Sequence, residues 1–253
     1  MYYCMQNLLK EMNWSQRTIK KIFQKCGILI RKYNPSSSEE LRRIKLLEYY
    51  NIDLVFDIGA NTGQYATGII DAGYKGKIVS FEPLSLAYNK LKKINKNQAN
   101  WIIAPRGAIG ARIEEIEINI SENSVSSTLL NMLEAHFEGA PESKIVGKEK
   151  VQVSAIDDIY GDYIGTCKNI FIKIDVQGYE QEVLKGAQKL IDQTKGIEIE
   201  ISLVPLYENQ KLLLPEMLEY MNEKGFHLTS IVPAFTNQTN GKVLQCNAIF
   251  FRK

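Results

Sequence analysis

Val55-Phe56-Asp57-Ile58-Gly59-Ala60-Asn61-Thr62-Gly63-Gln64-Tyr65 runs from a strand pattern through a glycine-bearing turn into a helix. Leu54-Val55-Phe56 is the short apolar run expected of a parallel strand buried on both faces. Tyr65, Ala66, Ile69 and Ile70 follow at helical spacing, and Gly73 can end that helix. Gly59 and Gly63 allow a tight turn and close approach to a ligand. Ligands of such sheets sit beyond the carboxyl ends of the strands. This turn is not built for phosphate. Asn61 takes the middle position where a dinucleotide fingerprint has glycine, and the Gly-Lys-Ser/Thr of a P-loop is absent. Asp57 points the same way, because a carboxylate repels phosphate and attracts an ammonium or sulfonium group.

Outward from this stretch, strand and helix patterns alternate. Residues 77–82 read as a second strand, Leu84, Ala87, Leu91 and Ile94 as a helix, and residues 101–104 as a third strand. Residues 106–150 break the rhythm. Ile116, Ile118 and Ile120 alternate with polar residues as in a half-exposed strand, and a polar run over residues 121–128 follows. We expect an insertion over one end of the sheet. The rhythm resumes with a strand at residues 170–175 and a helix through Val183, Leu184, Ala187 and Leu190. A strand over 196–202 carries Ile197, Ile199 and Ile201 on one face, with Glu198, Glu200 and Ser202 on the other. A helix near 215–224 precedes strands at 226–231 and 243–251, which lack a helix between them and so suggest an antiparallel pair. Repeated β-α units imply an α/β fold with a mostly parallel sheet covered by helices on both faces.

The chain has 253 residues, 45% hydrophobic and 24% charged, which suits a folded globular protein. A net charge of +2 argues against a dedicated nucleic-acid binder. Cys4, Cys26, Cys167 and Cys246 are far apart in sequence, so neither a disulfide framework nor a zinc site is expected. With two distant histidines we expect no obligatory metal. No apolar run approaches the roughly 18 residues that span a bilayer, no signal-peptide pattern opens the chain, and a cytoplasmic location is expected.

Residues 1–50 read as a basic helical extension. Lys10, Arg17, Lys20, Lys21, Lys25, Arg31 and Lys32 face the single acid Glu11, and Ile19, Ile22, Phe23, Cys26 and Ile30 recur at helical spacing after a capping Ser15. Such a helix either packs on the main domain with a solvated charged face or docks on an anionic membrane or acidic partner. Ser37 and Glu40 match a capping box for a short helix through Leu41, Ile44 and Leu47. The main domain is expected over 51–253.

Glu82 lies 23 residues after Gly59 at the end of the second strand, a spacing that suits ribose hydroxyls. Together, Asp57-Ile58-Gly59-Ala60-Asn61-Thr62-Gly63-Gln64, Phe81-Glu82-Pro83, Lys173-Ile174-Asp175-Val176-Gln177-Gly178-Tyr179-Glu180 with Val183-Leu184-Lys185-Gly186-Ala187, residues 198–202 and the closing Gln245-Cys246-Asn247-Ala248-Ile249-Phe250 resemble the FkbM family of S-adenosylmethionine-dependent methyltransferases. The likeness spans about four-fifths of the chain. It implies a Rossmann-like class I methyltransferase fold: a central seven-stranded, mostly parallel sheet with helices on both faces and an antiparallel last strand. It also implies S-adenosyl-L-methionine as cofactor and mainly O-methylation, with acceptors among sugars, glycan precursors and secondary metabolites. Asp57, Gly59, Ala60, Asn61, Gly63 and Gln64 would surround the methionine half of the cofactor, Glu82 would hold its ribose, and Gly107 and Ala108 would lie near adenine. Asp175 would sit where the methyl group points. Asn247 stands where family members more often carry an acid.

Transfer from a sulfonium to oxygen is an in-line displacement that needs an approach of about 3–3.5 Å and benefits from a base. We expect Asp175 to face donor and acceptor, with Lys173 or Glu200 assisting. Lys173, two residues earlier on the same strand face, would keep Asp175 ionised, or the two could form a purely structural ion pair. His136 is either an acceptor contact or an ordinary surface residue of the insertion. His227 reads as structural, and Ser126, Ser127 and Thr128 either shape an acceptor pocket or form a polar loop. Three other classes remain to be weighed: a non-catalytic module that binds S-adenosylmethionine or a partner, a nicotinamide-dependent oxidoreductase, which Asn61 disfavours, and an RNA methyltransferase, which would need a basic aromatic face.

Overall fold

The carboxyl ends of β1 (Leu54–Ile58) and its neighbours set where chemistry can occur, and the order of strands explains why. In the computed structural model, which describes residues 18–95, 98–122 and 127–252, the chain divides into two units, Met1–Arg43 and Ile44–Lys253. Ser15, Cys4 and Ser126 lie outside the described residues.

In the first unit, α1 is helical over residues 18–25 and stops at Gly27, whose φ of 73° is left-handed. Ile19, Ile22 and Phe23 share one face of it and are exposed. Ile30 falls beyond the end of α1 and is no part of that face, contrary to its periodic spacing. α2 (Glu39–Tyr49) is capped one residue later than the sequence suggests. The Leu41 N–H donates to Ser38 Oγ at 3.1 Å, while the Ser37 hydroxyl is engaged by Asn34.

In the second unit β1 is followed by α3 (Gln64–Asp71), β2 (Lys77–Phe81), α4 (Ser85–Ile94) and β3 (Trp101–Ile103). β4 (Ala108–Ile109), β5 (Glu114–Ser121), α5 (Glu134–Gly139) and β6 (Ile145–Ser154) come next, then the short helices α6 (Ile156–Ile159) and α7 (Gly161–Ile164). β7 (Ile170–Ile174), α8 (Glu180–Lys185), α9 (Gln188–Gln193), β8 (Thr194–Ser202), α10 (Leu214–Glu223), β9 (His227–Pro233) and β10 (Gln245–Phe251) complete the described fold. Seven strands form one sheet in the order β3-β2-β1-β7-β8-β10-β9. β10 is antiparallel to both neighbours, and the other pairs are parallel. The order reverses between β1 and β7, so a crevice opens above their carboxyl ends. Leu54, Phe56 and Ile58 of β1 pack into one hydrophobic layer and Val55 into the other, as the continuous apolar run requires.

The insertion holds more structure than its sequence suggests. β4, β6 and β5 form a second, three-stranded sheet. β6 escapes a sequence reading because its centre is Lys148-Glu149-Lys150. Yet Val151 and Val153 point inward, while Lys148 and Lys150 pair across the strands with Glu117 and Glu115 at 3.4 and 3.1 Å. The helix expected through Val183–Leu190 is interrupted after Lys185. At Gly186 a Cβ would lie 2.0 Å from the Gly110 carbonyl oxygen, so the insertion's backbone presses against this point.

Candidate active site

Asp57, Lys173 and Asp175 form an ion-pair relay at the switch point. Asp57 and Lys173 are register partners on β1 and β7. Lys173 Nζ lies 3.2 Å from Asp57 Oδ1 and 3.5 Å from Asp175 Oδ2, and it donates to the Gly59 carbonyl at 2.9 Å. Asp57 Oδ2 also accepts from Ser80 Oγ at 2.9 Å, and Ser80 Oγ accepts from the Trp101 indole N–H at 2.9 Å. Burial opposes the charge on Lys173, but Asp57 and then Asp175 more than offset it and hold the ammonium above the ordinary lysine range.

A cleft opens beside this relay. Gly59, Asn61, Glu82, Gly107, Ala108 and Asp175, six of the residues named from the sequence, line it together. Gly59 has a φ of 80°, and a Cβ there would sit 1.8 Å from the Asp175 carbonyl oxygen. The turn after β1 thus rests directly on the turn after β7, which only glycine permits. Glu82 accepts the Asn61 N–H at 2.7 Å and the Leu84 N–H at 2.8 Å. Burial nevertheless pushes its carboxyl up to about 7, since desolvation outweighs those two donors.

Several residues expected at the cofactor do not line this cleft. Asp57 is fully buried beneath the cleft and faces Lys173, so it acts on the site through the relay. Gly63 is demanded by packing: a Cβ would lie 2.8 Å from both Leu91 and Trp101. Gln64 caps the turn by accepting the Thr62 N–H at 3.1 Å, and Ala60 is buried in the core. Lys173 and Glu200 also stand behind the cleft wall. Glu200 Oε2 accepts from Gln177 Nε2 at 2.7 Å and Gln245 Nε2 at 2.9 Å. Burial first, then the Asp175 charge, raise Glu200 well above the usual carboxylate range. Asn247 is its register partner on β10. The other acid of this strand face, Glu198, has a partner too and accepts from the Tyr65 hydroxyl at 3.1 Å.

His136 is neither a surface residue nor a cleft residue. It is buried among Phe137, Tyr207 and Phe235, with ring centroids 6.2, 5.4 and 5.4 Å away. Burial lowers its proton affinity, and its Nδ1 has no hydrogen-bond partner. His227 starts β9 and is exposed. From the insertion, Ile118, Ser127, Thr128 and Leu129 reach the cleft. Sequence reasoning gave no role to Gln177, Glu180 or Tyr207. Glu180 accepts the Gly178 N–H at 3.0 Å and closes the turn after β7, and burial lifts it to about 7. The consecutive Gln177-Gly178 were the available signal for a special turn: their φ angles are 52° and 97°. Nothing local in the sequence marks Tyr207.

The strand order with its reversed β10, the glycine turn after β1 and the acid ending β2 define a class I methyltransferase fold. Residues 57–228 match the methyltransferase FkbM domain, and the chain belongs to that family. It is similar to the hexuronic acid methyltransferase AglP of Haloferax volcanii, with 23% identity over 164 residues. The match covers 64% of this chain and 62% of that protein, so the chain spans less than two-thirds of the relative's length. Among solved structures, Methanococcus jannaschii fibrillarin gives a TM-score of 0.46 at 14% identity, covering 87% of this chain and 76% of that one. Aeropyrum pernix fibrillarin, solved with natively bound S-adenosyl-L-methionine, gives 0.43 at 9%, covering 78% and 66%.

The methyl donor of this family is S-adenosylmethionine. The residues present fit it. Asn61 Oδ1 is buried without a partner at the cleft and can accept a hydrogen bond. Glu82 keeps lone pairs for ribose hydroxyls, and Phe81, Leu84, Ile109 and Ile118 give an apolar wall for a flat base. Among the described residues no cluster of His, Cys, Asp and Glu could hold a metal ion, and no helix is long and apolar enough to cross a membrane.

Proposed function

We propose that this protein transfers a methyl group from S-adenosylmethionine to a hydroxyl oxygen, on a sugar, glycan precursor or related metabolite. When bound, the cofactor supplies an electrophilic methyl group on a sulfonium. Asp175 borders the cleft with its side chain about one-third exposed and takes the proton the acceptor hydroxyl gives up. Lys173, held beneath it, keeps the carboxylate charged and oriented without touching the acceptor.

One observation carries the choice of a hydroxyl over a carboxylate acceptor: no lysine, arginine or histidine lines the cleft among the described residues. A carboxylate acceptor beside Asp175 and Glu82 would be desolvated against like charge. Lys173 cannot relieve it, being already engaged by Asp57, Asp175 and the Gly59 carbonyl. The name of the relative AglP makes sugars the first acceptors to try, and the absence of a cleft cation favours neutral ones over uronic acids.

The test is an acceptor screen with methyl-labelled cofactor over nucleotide sugars, lipid-linked sugars, hexoses, hexuronates and small metabolites, followed by mild base. An ether keeps its label, whereas a methyl ester releases methanol. Base-labile product would overturn the hydroxyl assignment. Asp175→Asn should lower kcat by about 10²–10⁴-fold with S-adenosylhomocysteine affinity nearly unchanged, and near-normal turnover would remove Asp175 as the base.

A further inference from the structure

We infer that Gln177, locked by Tyr207 and Thr128, is the positioning residue that aims the Asp175 carboxylate into the donor cleft. The inference rests on the reading of Asp175 above, and its geometry is specific. Gln177 Nε2 donates to Asp175 Oδ1 and to Glu200 Oε2, both at 2.7 Å, so both amide hydrogens are in use. Gln177 Oε1 accepts from the Tyr207 hydroxyl at 2.8 Å. A flipped amide would present its oxygen to Asp175 and lose both donors, so this hydroxyl and the carboxylates together fix one orientation.

The backbone is fixed as firmly as the side chain. Gln177 has a left-handed φ of 52°, unfavourable for a residue with a Cβ. Its carbonyl accepts from the Thr128 hydroxyl, which reaches across from the insertion. The next residue must be glycine, because a Cβ at Gly178 would lie 2.5 Å from the Tyr207 ring. Tyr207 itself is buried. The strained residue is thus held by three separate segments, the turn after β7, the insertion and the loop after β8.

Glu200 is the rear anchor. It also receives Gln245 Nε2, and burial together with the Asp175 charge raises its proton affinity. One amide therefore joins a carboxyl group facing the cleft to a second one behind it. Asp175 is held from below by Lys173 and from the side by Gln177, which leaves it a single direction.

Two ligands that differ mainly in the charged methyl group, S-adenosylmethionine and S-adenosylhomocysteine, test this without any acceptor. Titration calorimetry gives the ratio of their affinities for wild type, Asp175→Asn, Gln177→Met and Tyr207→Phe, with thermal unfolding as the fold control. Gln177→Met should shift the ratio against the cation by about tenfold, towards the Asp175→Asn value, while homocysteine-form affinity stays within about twofold. Tyr207→Phe removes one atom, keeps the ring against Gly178 and should shift the ratio the same way by a smaller factor. A purely structural role would weaken both ligands equally. If Asp175→Asn shifts the ratio and neither other variant does, the positioning role is wrong. If Asp175→Asn leaves the ratio unchanged, the reading of Asp175 falls and takes this inference with it. Should Gln177→Met fail to fold, Tyr207→Phe decides.

Discussion

Replacing Lys173 by methionine should destabilise the domain far more than a typical substitution, and the structure gives the size. Among the described residues the ammonium is the sole cation within ion-pair distance of Asp57, whose side chain is fully buried. At 3.2 Å and an effective dielectric constant of about 20 the pair interaction is about 5 kcal/mol. Breaking a buried pair from one side costs about 3–5 kcal/mol, because the remaining charge has no water. The contact with Asp175 adds less, since that carboxylate is partly exposed and screened. A domain of this size loses about 2–4 °C in Tm per kcal/mol, so Lys173→Met should melt about 6–20 °C lower. Urea unfolding of wild type, Lys173→Met, Asp57→Asn and the double variant is the assay. The double variant should be more stable than the sum of the single losses predicts, by about 1–3 kcal/mol. The folded-state proton affinity of Lys173 is raised, so its contribution is complete below the unfolded lysine pKa and fades only at still higher pH. The deficit should therefore be the same at pH 6 and pH 9. Strict additivity, or a loss below about 1 kcal/mol, would refute the relay.

Gly59→Ala should abolish cofactor binding or folding, because its Cβ would overlap the Asp175 carbonyl oxygen at 1.8 Å; calorimetry with S-adenosylmethionine checks it, and binding within about twofold of wild type would contradict the close approach. Glu82 and Glu180 both sit near 7 when folded against 4.5 otherwise, so the native state binds extra protons and stability falls as pH rises from 4.5 to 7. Glu200 is raised as well, so Glu180→Gln should remove roughly a third of that slope in urea titrations across the window, and an unchanged slope would refute it. The Tyr74 hydroxyl is buried without a partner, so Tyr74→Phe should leave Tm unchanged or raise it by up to about 3 °C; a clear fall would reveal a hidden partner.

The sequence made part of the cleft legible because its signals are local. Asp57 to Gly63 form one turn, and Glu82 lies one β-α unit further on, so spacing alone brings Gly59, Asn61 and Glu82 to one crevice. Direction is harder to read than position. Asp57 and Lys173 were placed at the right strand ends, but their side chains meet beneath the cleft, which depends on the register of β1 and β7. Residues acting across long separations were silent. Tyr207 lies 30 residues after Gln177, and Gln245 lies 45 after Glu200. β6 was hidden by a charged centre that makes sense only beside the oppositely charged face of β5. His136 was misplaced because a histidine inside an aromatic cluster looks, in sequence, like one on a loop.

The small β4-β6-β5 sheet supplies Ile109 and Ile118 at the cleft, the segment between β5 and β6 supplies Thr128 and Leu129, and the turns after β1, β2 and β7 line the rest. Two separate pieces of chain thereby build one cleft. Exchange of residues around the β5–β6 hairpin can reshape one wall of that cleft while the parallel sheet keeps the opposite wall in place. The tether limiting that freedom is the single Thr128 hydroxyl, since any graft that drops it also unclasps the turn behind Asp175.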